Sequence, residues 1–552
     1  MSQSIAVGDP WSRSHRRTVS YCFVVALGPV LFGFDQAAIS GTIVIPRFQR
    51  DFGSVDALTG QHIITASGQT LLFGLLLVGA IVASVLSGPI GTRYGRKAGL
   101  YCCAGTSLIG PLIQVVAPNM GVMIFGRVLS GAGIGFAANF CGTYWSEVAL
   151  AKHRGLITQG LVNLTAFLGA SIIQGVHGLS SKWAWRAPVV VMMIAPFIML
   201  CLIPLLPETP RWYITRGRPD DALQALRDLR GSTWPEEELE SEIREMSAMY
   251  ELECSLEGST TYRDCFRNTD LRRTRISLIF VVFQSFTGIS FIAGYGTLFF
   301  ALSGIKQPFL TTVITSCCGL GGSIAAFPLV RTVGRRLLLL MGSAVCGISM
   351  LLFAIVGTAK PNSLAAANLL VACVCIYLFA YSASWGPLPI TVLTEIPSNG
   401  LRSKTLSMST TVNWLSAMLI ACGAPYLVNP QYANIGVKLG FIFGGVTVLG
   451  WFWVFFDVPE TKDRTLEEID EMFLNNISTR GFKRYVCTGQ VRDDNDQVVA
   501  TVEKDVASDV LIRQSAATPK IIGPITTKSA ASTVYSAPGP STGLNNYRPI
   551  SR

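Results

Sequence analysis

Two charged side chains stand alone within long apolar stretches of this sequence. Asp35 lies in the segment LFGFDQAAISG and Arg127 lies in FGRVLSGAGIG, and neither has another charge within ten residues. In an apolar medium a carboxylate and a guanidinium stabilise each other, and protonation of the carboxylate would release the guanidinium. These residue types therefore offer the chemistry of a proton-sensitive ion pair, with a static ion pair as the alternative.

Other charges recur along the chain in a repeated pattern. Glu147 and Arg154 are seven residues apart, and Glu395 and Arg402 repeat this spacing 248 positions later. Two further motifs return at offsets between 239 and 252: GRK at 95–97 as GRR at 334–336, and PET at 207–209 as PET at 459–461. The repeat predicts two related halves in the chain.

Glutamates and arginines of these motifs can pair between helix ends and so hold one side of a protein shut. We predict a gate formed by Arg96, Glu147, Arg154, Glu208, Arg335, Glu395, Arg402 and Glu460. The alternative is a duplicated scaffold in which the same motifs only cap helices.

The elements that must position these charges are membrane spans. Half of the 552 residues are hydrophobic (50%), 14% are charged, and the mean hydropathy is +0.44. Soluble domains carry about 25% charged residues, so the composition disfavours a water-soluble enzyme. About 20 apolar residues cross the ~30 Å hydrocarbon core of a bilayer, and twelve nearly uncharged stretches of that length occur.

The predicted spans fall into two sets of six. The first set is 19–41, 66–90, 98–117, 120–142, 156–178 and 187–206, and the second is 276–301, 308–330, 337–357, 364–393, 405–427 and 437–456. Asp35 and Arg127 each lie about eight residues below the outer end of their span, or roughly 12 Å deep. They are therefore predicted to meet at one level.

Two similar six-span halves are typical of a transporter that rocks about a central site. The predicted fold is all-α and integral to the membrane, with twelve transmembrane helices in two pseudo-symmetric six-helix bundles. A pore or a membrane enzyme does not need this arrangement. Because the sequence has no nucleophile–base set, metal cluster or phosphate-binding loop, we predict no enzyme activity, cofactor or metal.

The distribution of lysine and arginine predicts the orientation. The net charge is +10, and its cations cluster in the loops on one side of the spans, which sets membrane topology and does not indicate a nucleic-acid partner. We predict a cytoplasmic arm at 1–18, bundles at 19–206 and 276–457, a helical connecting loop at 207–275, and a tail at 458–552. Both termini are predicted to be cytoplasmic, in the plasma membrane, and the tail to be mostly disordered beyond a helix at 466–474.

The ordered set of motifs resembles the sugar porter branch of the major facilitator superfamily. It comprises LFGFDQAAISG, GRKAG, FGRVLSGAGIG, SEVALAKHRG, PETPRW, VGRR, SWGPLP, TEIPSNGLRSK and PETKDRT, and the likeness covers residues 18–475. Within that branch, VNLTAFLGASIIQGV and PYLVNPQYANIGVKLGFIFGG are most similar to fungal α-glucoside (maltose-type) permeases. The resemblance implies sugar–proton symport, with Asp35 and Arg127 at the positions of the proton-coupling pair.

A sugar requires convergent amide and hydroxyl groups, since each of its hydroxyls must exchange water for a fixed partner. The residues interpreted as facing the sugar are Gln284, Ser290 and Tyr295 in span 7 and Asn413 and Trp414 in span 11. The alternative is that some of these side chains face lipid or other helices.

The sequence departs from the family pattern at several of these places. Ser285, Ser290 and Ala170 replace amides, and Ile390 replaces a tryptophan, which predicts a wider and less polar cavity. In the loop motif, Thr92 stands in place of the usual aspartate, as Arg331 does in the second half, so the arginines that follow are expected to lack their customary partners.

Three functions remain open at this stage. The first is a proton-coupled importer of a sugar such as an α-glucoside. The second is a transporter of another small metabolite, and the third is a sugar receptor that signals through the tail.

Overall fold

In a computed structural model of the chain, the described residues are 16–55, 60–148, 154–230, 234–257, 261–302, 305–359, 364–429, 431–462, 464–485, 487, 490–492 and 498–501. Most of the predicted N-terminal arm and the tail from 502 to 552 lie outside these residues, as does the side chain of Arg154.

Within the described part of the chain, twelve helices are long and apolar enough to cross a membrane. Spans 1 to 6 are Ser20–Thr42, Ala66–Tyr94, Arg96–Val116, Met120–Val148, Gln159–Val176 and Trp183–Leu205. Spans 7 to 12 are Thr269–Leu302, Pro308–Thr332, Arg335–Ala359, Ala365–Ala383, Arg402–Val428 and Gly436–Asp457. The predicted number of spans and the all-α fold are confirmed.

The described residues include 21 α-helices and two short strand pairs. The first half contains α1 (Arg16–Thr42), α2 (Pro46–Phe52), α3 (Ala66–Tyr94), α4 (Arg96–Val116), α5 (Met120–Phe136), α6 (Gly142–Val148), α7 (Arg154–Val176), α8 (Trp183–Met192) and α9 (Ile194–Leu202), with strands β1 (Ser54–Val55) and β2 (His62–Ile63). The connecting loop forms α10 (Pro210–Thr215), α11 (Pro219–Arg230) and α12 (Glu236–Glu257).

The remaining elements belong to the second half and the tail. They contain α13 (Asn268–Phe286), α14 (Ile289–Leu302), α15 (Pro308–Thr332), α16 (Arg335–Ala359), α17 (Leu364–Ala383), α18 (Leu388–Glu395), α19 (Arg402–Val428), α20 (Leu439–Asp457) and α21 (Leu466–Leu474), with strands β3 (Gln490–Arg492) and β4 (Val498–Thr501).

The two halves pack in the same way. Span 2 packs along span 4, span 3 along span 4, and span 1 along span 5; spans 8 and 10, 9 and 10, and 7 and 11 pair correspondingly. The halves meet through spans 5 and 8, spans 2 and 11, and spans 1 and 7. The repeat seen in the sequence is thus a repeat of packing.

Span 4 owes its close packing to glycine. A Cβ atom on Gly131 would lie 1.9 Å from the carbonyl oxygen of Leu76, and one on Gly135 would lie 2.3 Å from that of Ala80. Because these contacts leave no room for a side chain, the GxxxG spacing brings span 4 directly against the backbone of span 2. This approach places Arg127 inside the first half.

Several spans are not continuous α-helices. Span 4 contains a π-helical turn at Ala137–Cys141. Span 7 changes direction at Gly288, where φ is 105°, and α14 begins at the next residue. The sequence predicted an unbroken span at 364–393, but that helix stops at Ala383 and α18 begins at Leu388, because Pro387 and Pro389 provide no backbone N–H to continue it.

The predicted tail helix forms and docks beneath the second half. Thr465 and Glu468 form a capping box at the start of α21, and Ile469, Met472 and Phe473 are buried. Arg273, at the inner end of span 7, forms an ion pair with Asp470. Further along, β3 and β4 pair as an antiparallel ladder, in a stretch expected to be disordered; a local strand pair requires no large core.

Candidate functional site: a buried ion pair, two inner clusters and an amide cluster

The structure brings Asp35 and Arg127 together inside the first half. Their side chains are 2% and 1% exposed, and Nη1 of Arg127 donates to Oδ1 of Asp35. Nε of Arg127 donates to the carbonyl oxygen of Leu72 in span 2, at 3.3 Å. A protonation event at Asp35 would therefore alter the contacts of spans 1, 2 and 4 together.

The first inner cluster consists of Arg96, Glu147 and Glu208. Arg96 binds Glu147 through Nε, at 3.0 and 3.2 Å, and through Nη2, at 2.7 Å. Glu208 accepts the backbone N–H groups of Arg96, Lys97 and Thr209, each at 3.0 Å. Burial raises the pKa of Glu208, and these N–H groups and the Arg96 charge partly oppose that effect.

The second inner cluster repeats the first with Arg335, Glu395 and Glu460. Nη2 of Arg335 donates to Glu395 at 3.0 Å, and Glu460 accepts the backbone N–H groups of Arg335 and Arg336 at 2.9 and 3.1 Å. The hydroxyl of Thr461 also donates to Glu395, at 2.5 Å. In place of the loop aspartate that the family pattern has, each arginine binds a glutamate of the predicted set, Arg96 with Glu147 and Arg335 with Glu395.

These contacts change the interpretation of the predicted gate. Each arginine–glutamate pair joins two helices of the same half, so neither pair itself bridges the halves. Arg402 begins α19, and the Arg154 side chain lies outside the described residues. The clusters tie helix ends together within each half.

An amide cluster lies in the second half. Nε2 of Gln284 donates to the carbonyl oxygen of Trp385 at 3.1 Å, and Nδ2 of Asn413 donates to Oε1 of Gln284 at 3.3 Å. Trp385 itself is fully buried, stacked on Phe280 with ring centroids 5.1 Å apart, and therefore packs helices together. Gln284 and Asn413, predicted from two different spans, are thus neighbours.

The other predicted sugar contacts have different surroundings. Tyr295 is 2% exposed, its hydroxyl donates to the Ala421 carbonyl at 2.7 Å, and its ring lies 4.3 Å from that of Phe73. It fills the seam between the halves and does not face an open cavity, because the two halves are closed against each other there. Trp414 is half-buried with its ring edge-on to Phe32, and Ser290 is half-buried at the start of α14.

The predicted widening of the cavity stays a prediction. Ala170 and Ser285 are both 3% exposed, so the smaller side chains are packed within the protein. The side chain of Ile390 lies outside the described residues.

Asn163 in span 5 also makes contacts across the seam between the halves. Its Nδ2 lies within hydrogen-bond distance of Oγ of Ser323, at 2.6 Å, Oγ of Ser382, at 3.0 Å, and the Gly319 carbonyl, at 3.3 Å. It therefore connects the first half to spans 8 and 10. The isolated amide in an apolar span was the available signal, but its partners are small serines with no recognisable spacing.

On the side opposite the inner clusters the halves are in contact. Oγ1 of Thr70 donates to the Cys422 carbonyl at 3.1 Å, and the rings of His177 and Phe309 stack with centroids 4.4 Å apart. These contacts join spans 2 and 11 and spans 5 and 8. The described residues therefore represent a state closed on this side.

Comparisons with known proteins agree with this architecture. The family model described as "Sugar (and other) transporter" matches residues 21–473. The major facilitator-type transporter ecdD of Aspergillus rugulosus is 31% identical over 489 residues, which is 86% of this chain and 90% of the relative. The probable glucose transporter rco-3 of Neurospora crassa is 32% identical over 464 residues, covering 81% of this chain and 78% of that protein.

A sensor and solved structures are also similar. The high glucose sensor RGT2 of Saccharomyces cerevisiae is 31% identical, and the match covers 85% of this chain but 62% of the sensor. The proton:xylose symporter XylE bound to 6-bromo-6-deoxy-D-glucose superposes with a TM-score of 0.67 at 23% identity, covering 83% of this chain and 99% of that structure. The inward-open form of XylE from E. coli gives 0.66, also at 23% identity, with 82% and 99% covered.

Proposed function

We propose that this chain, which belongs to the sugar transporter family of the major facilitator superfamily, imports a sugar together with a proton by alternating access. The observation that carries the proposal is the buried ion pair of Asp35 and Arg127. A charge at the bilayer centre costs about 2.5–3.5 kcal/mol on insertion scales, and ionisable residues there usually mark ion pathways.

Protonation of Asp35 is the proposed coupling step. It removes the negative charge that holds the Arg127 guanidinium and so loosens a contact that also includes the Leu72 carbonyl of span 2. Because span 2 lies in the seam with span 11, this change reaches the contact between the halves. One proton moving down 100 mV supplies ~2.3 kcal/mol, enough for roughly fifty-fold accumulation.

The inner clusters are proposed to make each half a rigid body. Glu208 and Glu460 bind backbone N–H groups at the start of spans 3 and 9, while Glu147 and Glu395 bind the arginines of the same turns. Helix ends joined in this way move together. Rigid halves are what a rocking mechanism requires.

The proposed substrate is a sugar, with an α-glucoside such as maltose as the first to test. Gln284 and Asn413 already share a hydrogen bond, and each retains polar atoms able to bind a sugar hydroxyl. Trp414 is half-buried beside Phe32, where an indole ring can cover the apolar face of a sugar. The curated relatives named above include a glucose transporter and a glucose sensor, so glucose is the comparison substrate.

The test is uptake of labelled maltose and labelled glucose into transport-deficient cells, with and without an uncoupler. Accumulation that the uncoupler abolishes supports symport. Accumulation that resists the uncoupler contradicts proton coupling, and uptake of glucose alone contradicts the α-glucoside assignment. A ligand panel measured by thermal shift covers the alternative that the substrate is another small metabolite.

A receptor is the second candidate function, favoured by the similarity to a glucose sensor. A receptor that signals through its tail would lose its response when residues 488–552 are deleted, whereas a transporter would keep its uptake. The deletion leaves the docked helix α21 in place. Retained uptake after deletion contradicts the receptor reading.

The proposed location is the plasma membrane, with both termini in the cytoplasm. The inner loops carry Arg93, Arg96 and Lys97 after span 2 and Arg331, Arg335 and Arg336 after span 8, as expected for cytoplasmic connections. Epitope tags at the two ends should react with antibody only after cells are permeabilised. Reaction of one end in intact cells would contradict this topology.

A further inference from the structure

A small cavity adjoins Asp35 on the side away from the amide cluster. It has a volume of about 10 Å³ and is lined by Leu31, Asp35, Ser107, Ser130, Ile134 and Met192. These side chains come from spans 1, 3, 4 and 6, so the cavity lies within the first half. Three of the six lining residues are polar and three are apolar.

The polar atoms at this cavity have unused hydrogen-bonding capacity. Oδ1 of Asp35 accepts from Arg127, but Oδ2 of Asp35 and Oγ of Ser107 are buried and have no hydrogen-bond partner in the described part of the chain. Oγ of Ser130 accepts from Nε2 of Gln114 at 2.8 Å, so its own hydrogen remains available. A buried polar atom left without a partner is costly, which makes this group a binding site for a small polar ligand.

We infer that this cavity binds a water molecule that joins Oδ2 of Asp35 to the hydroxyls of Ser107 and Ser130, and that this water delivers and removes the coupled proton. The inference rests on the proposed symport. Buried waters typically make two to four hydrogen bonds, and a cavity needs roughly 10–15 Å³ of volume to hold one. Three polar groups line this cavity of about 10 Å³, so it suits a single water molecule.

A metal cation fits the site less well than water. The cavity offers one carboxylate and two hydroxyls, and Arg127 already neutralises that carboxylate. A cation would also lie close to the guanidinium charge. Water can donate to Oδ2 and accept from a serine hydroxyl, so it suits the donors and acceptors present.

The proton is transferred from the bound water to Asp35. A proton arriving from the aqueous phase converts the bound water to hydronium; one O–H bond of the hydronium breaks, one O–H bond forms at Oδ2 of Asp35, and neutral water remains. Asp35 is the one ionisable residue lining the cavity. Arg127 of span 4 faces its other oxygen, and Tyr295 of span 7 lies near that guanidinium.

This arrangement separates the route of the proton from that of the sugar. The water site lies among spans 1, 3, 4 and 6, whereas Gln284 and Asn413 lie in the second half. The two ligands would therefore not compete for the same space.

X-ray hydroxyl-radical labelling tests the water site without reference to transport, because radicals form at bound water and oxidise the side chains beside it. Met192 lines the cavity and is 7% exposed, while Met199 in the same span is 0% exposed and is not among the lining residues. Met192 should be oxidised several-fold faster than Met199, and Ser107→Ala should remove most of the difference. Equal oxidation of the two methionines in the wild-type protein would overturn the site.

Transport tests the role of the water as proton carrier. Ser107→Ala loses no hydrogen bond to the protein, so it should fold; we expect proton-driven uptake to fall about tenfold, the equivalent of 1.4 kcal/mol, with a changed pH profile. Sugar exchange at equal pH on both sides should be retained. The matched control is Ser87→Ala in span 2, whose hydroxyl bonds the Ser84 carbonyl of its own helix, and which should leave uptake unchanged.

The outcomes separate the two proposals. If wild-type uptake ignores the uncoupler, symport and the carrier role both fail, and the labelling experiment still decides whether the water site exists. If wild-type uptake is coupled but Ser107→Ala has the wild-type rate and pH profile, the carrier role alone is overturned.

Discussion

Spans 4 and 10 are corresponding elements of the two halves, and they differ in the region that leads to the inner clusters. Span 4 ends beside Glu147, and α18, which follows span 10, ends at Glu395; each glutamate belongs to an inner cluster, and each helix is distorted about two to three turns before it. Span 4 keeps its helix by a π-helical turn at Ala137–Cys141, whereas span 10 stops at Ala383 and restarts at Leu388. The two corresponding helices are therefore distorted at corresponding positions, but one contains a π turn and the other is interrupted.

The reason lies in the residues at that place. In span 4, Nδ2 of Asn139 donates to the Gly135 carbonyl at 2.9 Å, which satisfies a backbone acceptor close to the π turn. In span 10, Pro387 and Pro389 lack the N–H that a continuous helix needs. In the first half, the Asn139 side chain satisfies a backbone acceptor and the helix continues. In the second half, the helix is interrupted.

The interiors of the two spans differ in charge as well. Arg127 lies twenty residues before Glu147, and the residue twenty before Glu395 is the neutral Cys375. The ion pair belongs to the first half and the amide cluster to the second. Under the proposed function, a proton and a sugar bound in different halves would be coupled through the movement of those halves about the seam between them.

The largest effect should come from breaking the ion pair. Arg127→Leu leaves Asp35 buried and unpaired, which typically costs 3–5 kcal/mol, roughly, in the free energy of unfolding. Adding Asp35→Leu should recover most of this loss, while Cys375→Leu at the corresponding place in span 10 should cost only about 1–3 kcal/mol. Thermal unfolding of the purified protein in detergent measures all three. Equal stability of the single and double variants would contradict a mutually compensating pair.

The next effect compares the two inner clusters. Glu147→Ala removes three hydrogen bonds to Arg96, and the Arg96 and Glu147 side chains are only 15% and 5% exposed. The Arg335 and Glu395 side chains share one hydrogen bond and are both 19% exposed. We expect a loss of about 2–3 kcal/mol for Glu147→Ala and about half of that for Glu395→Ala. Unfolding midpoints and uptake rates of both variants check the order. A larger loss for Glu395→Ala would show that the burial of the ion pair does not determine how much each cluster contributes to stability.

A smaller effect, confined to substrate affinity, should follow from the amide cluster. Gln284→Ala should raise the KM for the transported sugar about tenfold, since a lost hydrogen bond costs about 1.4 kcal/mol, without altering the pH dependence of uptake. Gln224→Ala on the exposed helix α11 is the matched control. If Gln284→Ala changed the pH profile and left KM unchanged, the division between the halves would be wrong.

The smallest expected effect is the contribution of Glu208 to the pH dependence of stability. Burial raises the pKa of Glu208 above the ordinary value of 4.5, so the folded protein holds this proton at a pH where the unfolded chain has released it. Its contribution to stability is therefore full below that value and is lost as the pH rises through the folded-state pKa. Unfolding midpoints of Glu208→Gln should fall less with rising pH in this window than those of the wild-type protein. An identical pH dependence in the variant would contradict the raised pKa.

Much of this protein is determined by the sequence alone. Twelve spans follow from local apolar length, because any segment of about 20 apolar residues must cross or leave the hydrocarbon core. The duplication follows from motif spacing, and the equal depth of Asp35 and Arg127 follows from their positions in the spans. Each of these is a local property or a one-dimensional distance.

Only the tertiary structure decided which side chains meet across helices. Glu208 binds backbone N–H groups at the start of span 3, Tyr295 donates to the Ala421 carbonyl in the seam, and Ser107 lines the cavity beside Asp35. Such contacts depend on how each helix is rotated and where it is broken, as at Gly288. Nearly uniform apolar spans carry little periodicity to fix that rotation, so helix packing determines it.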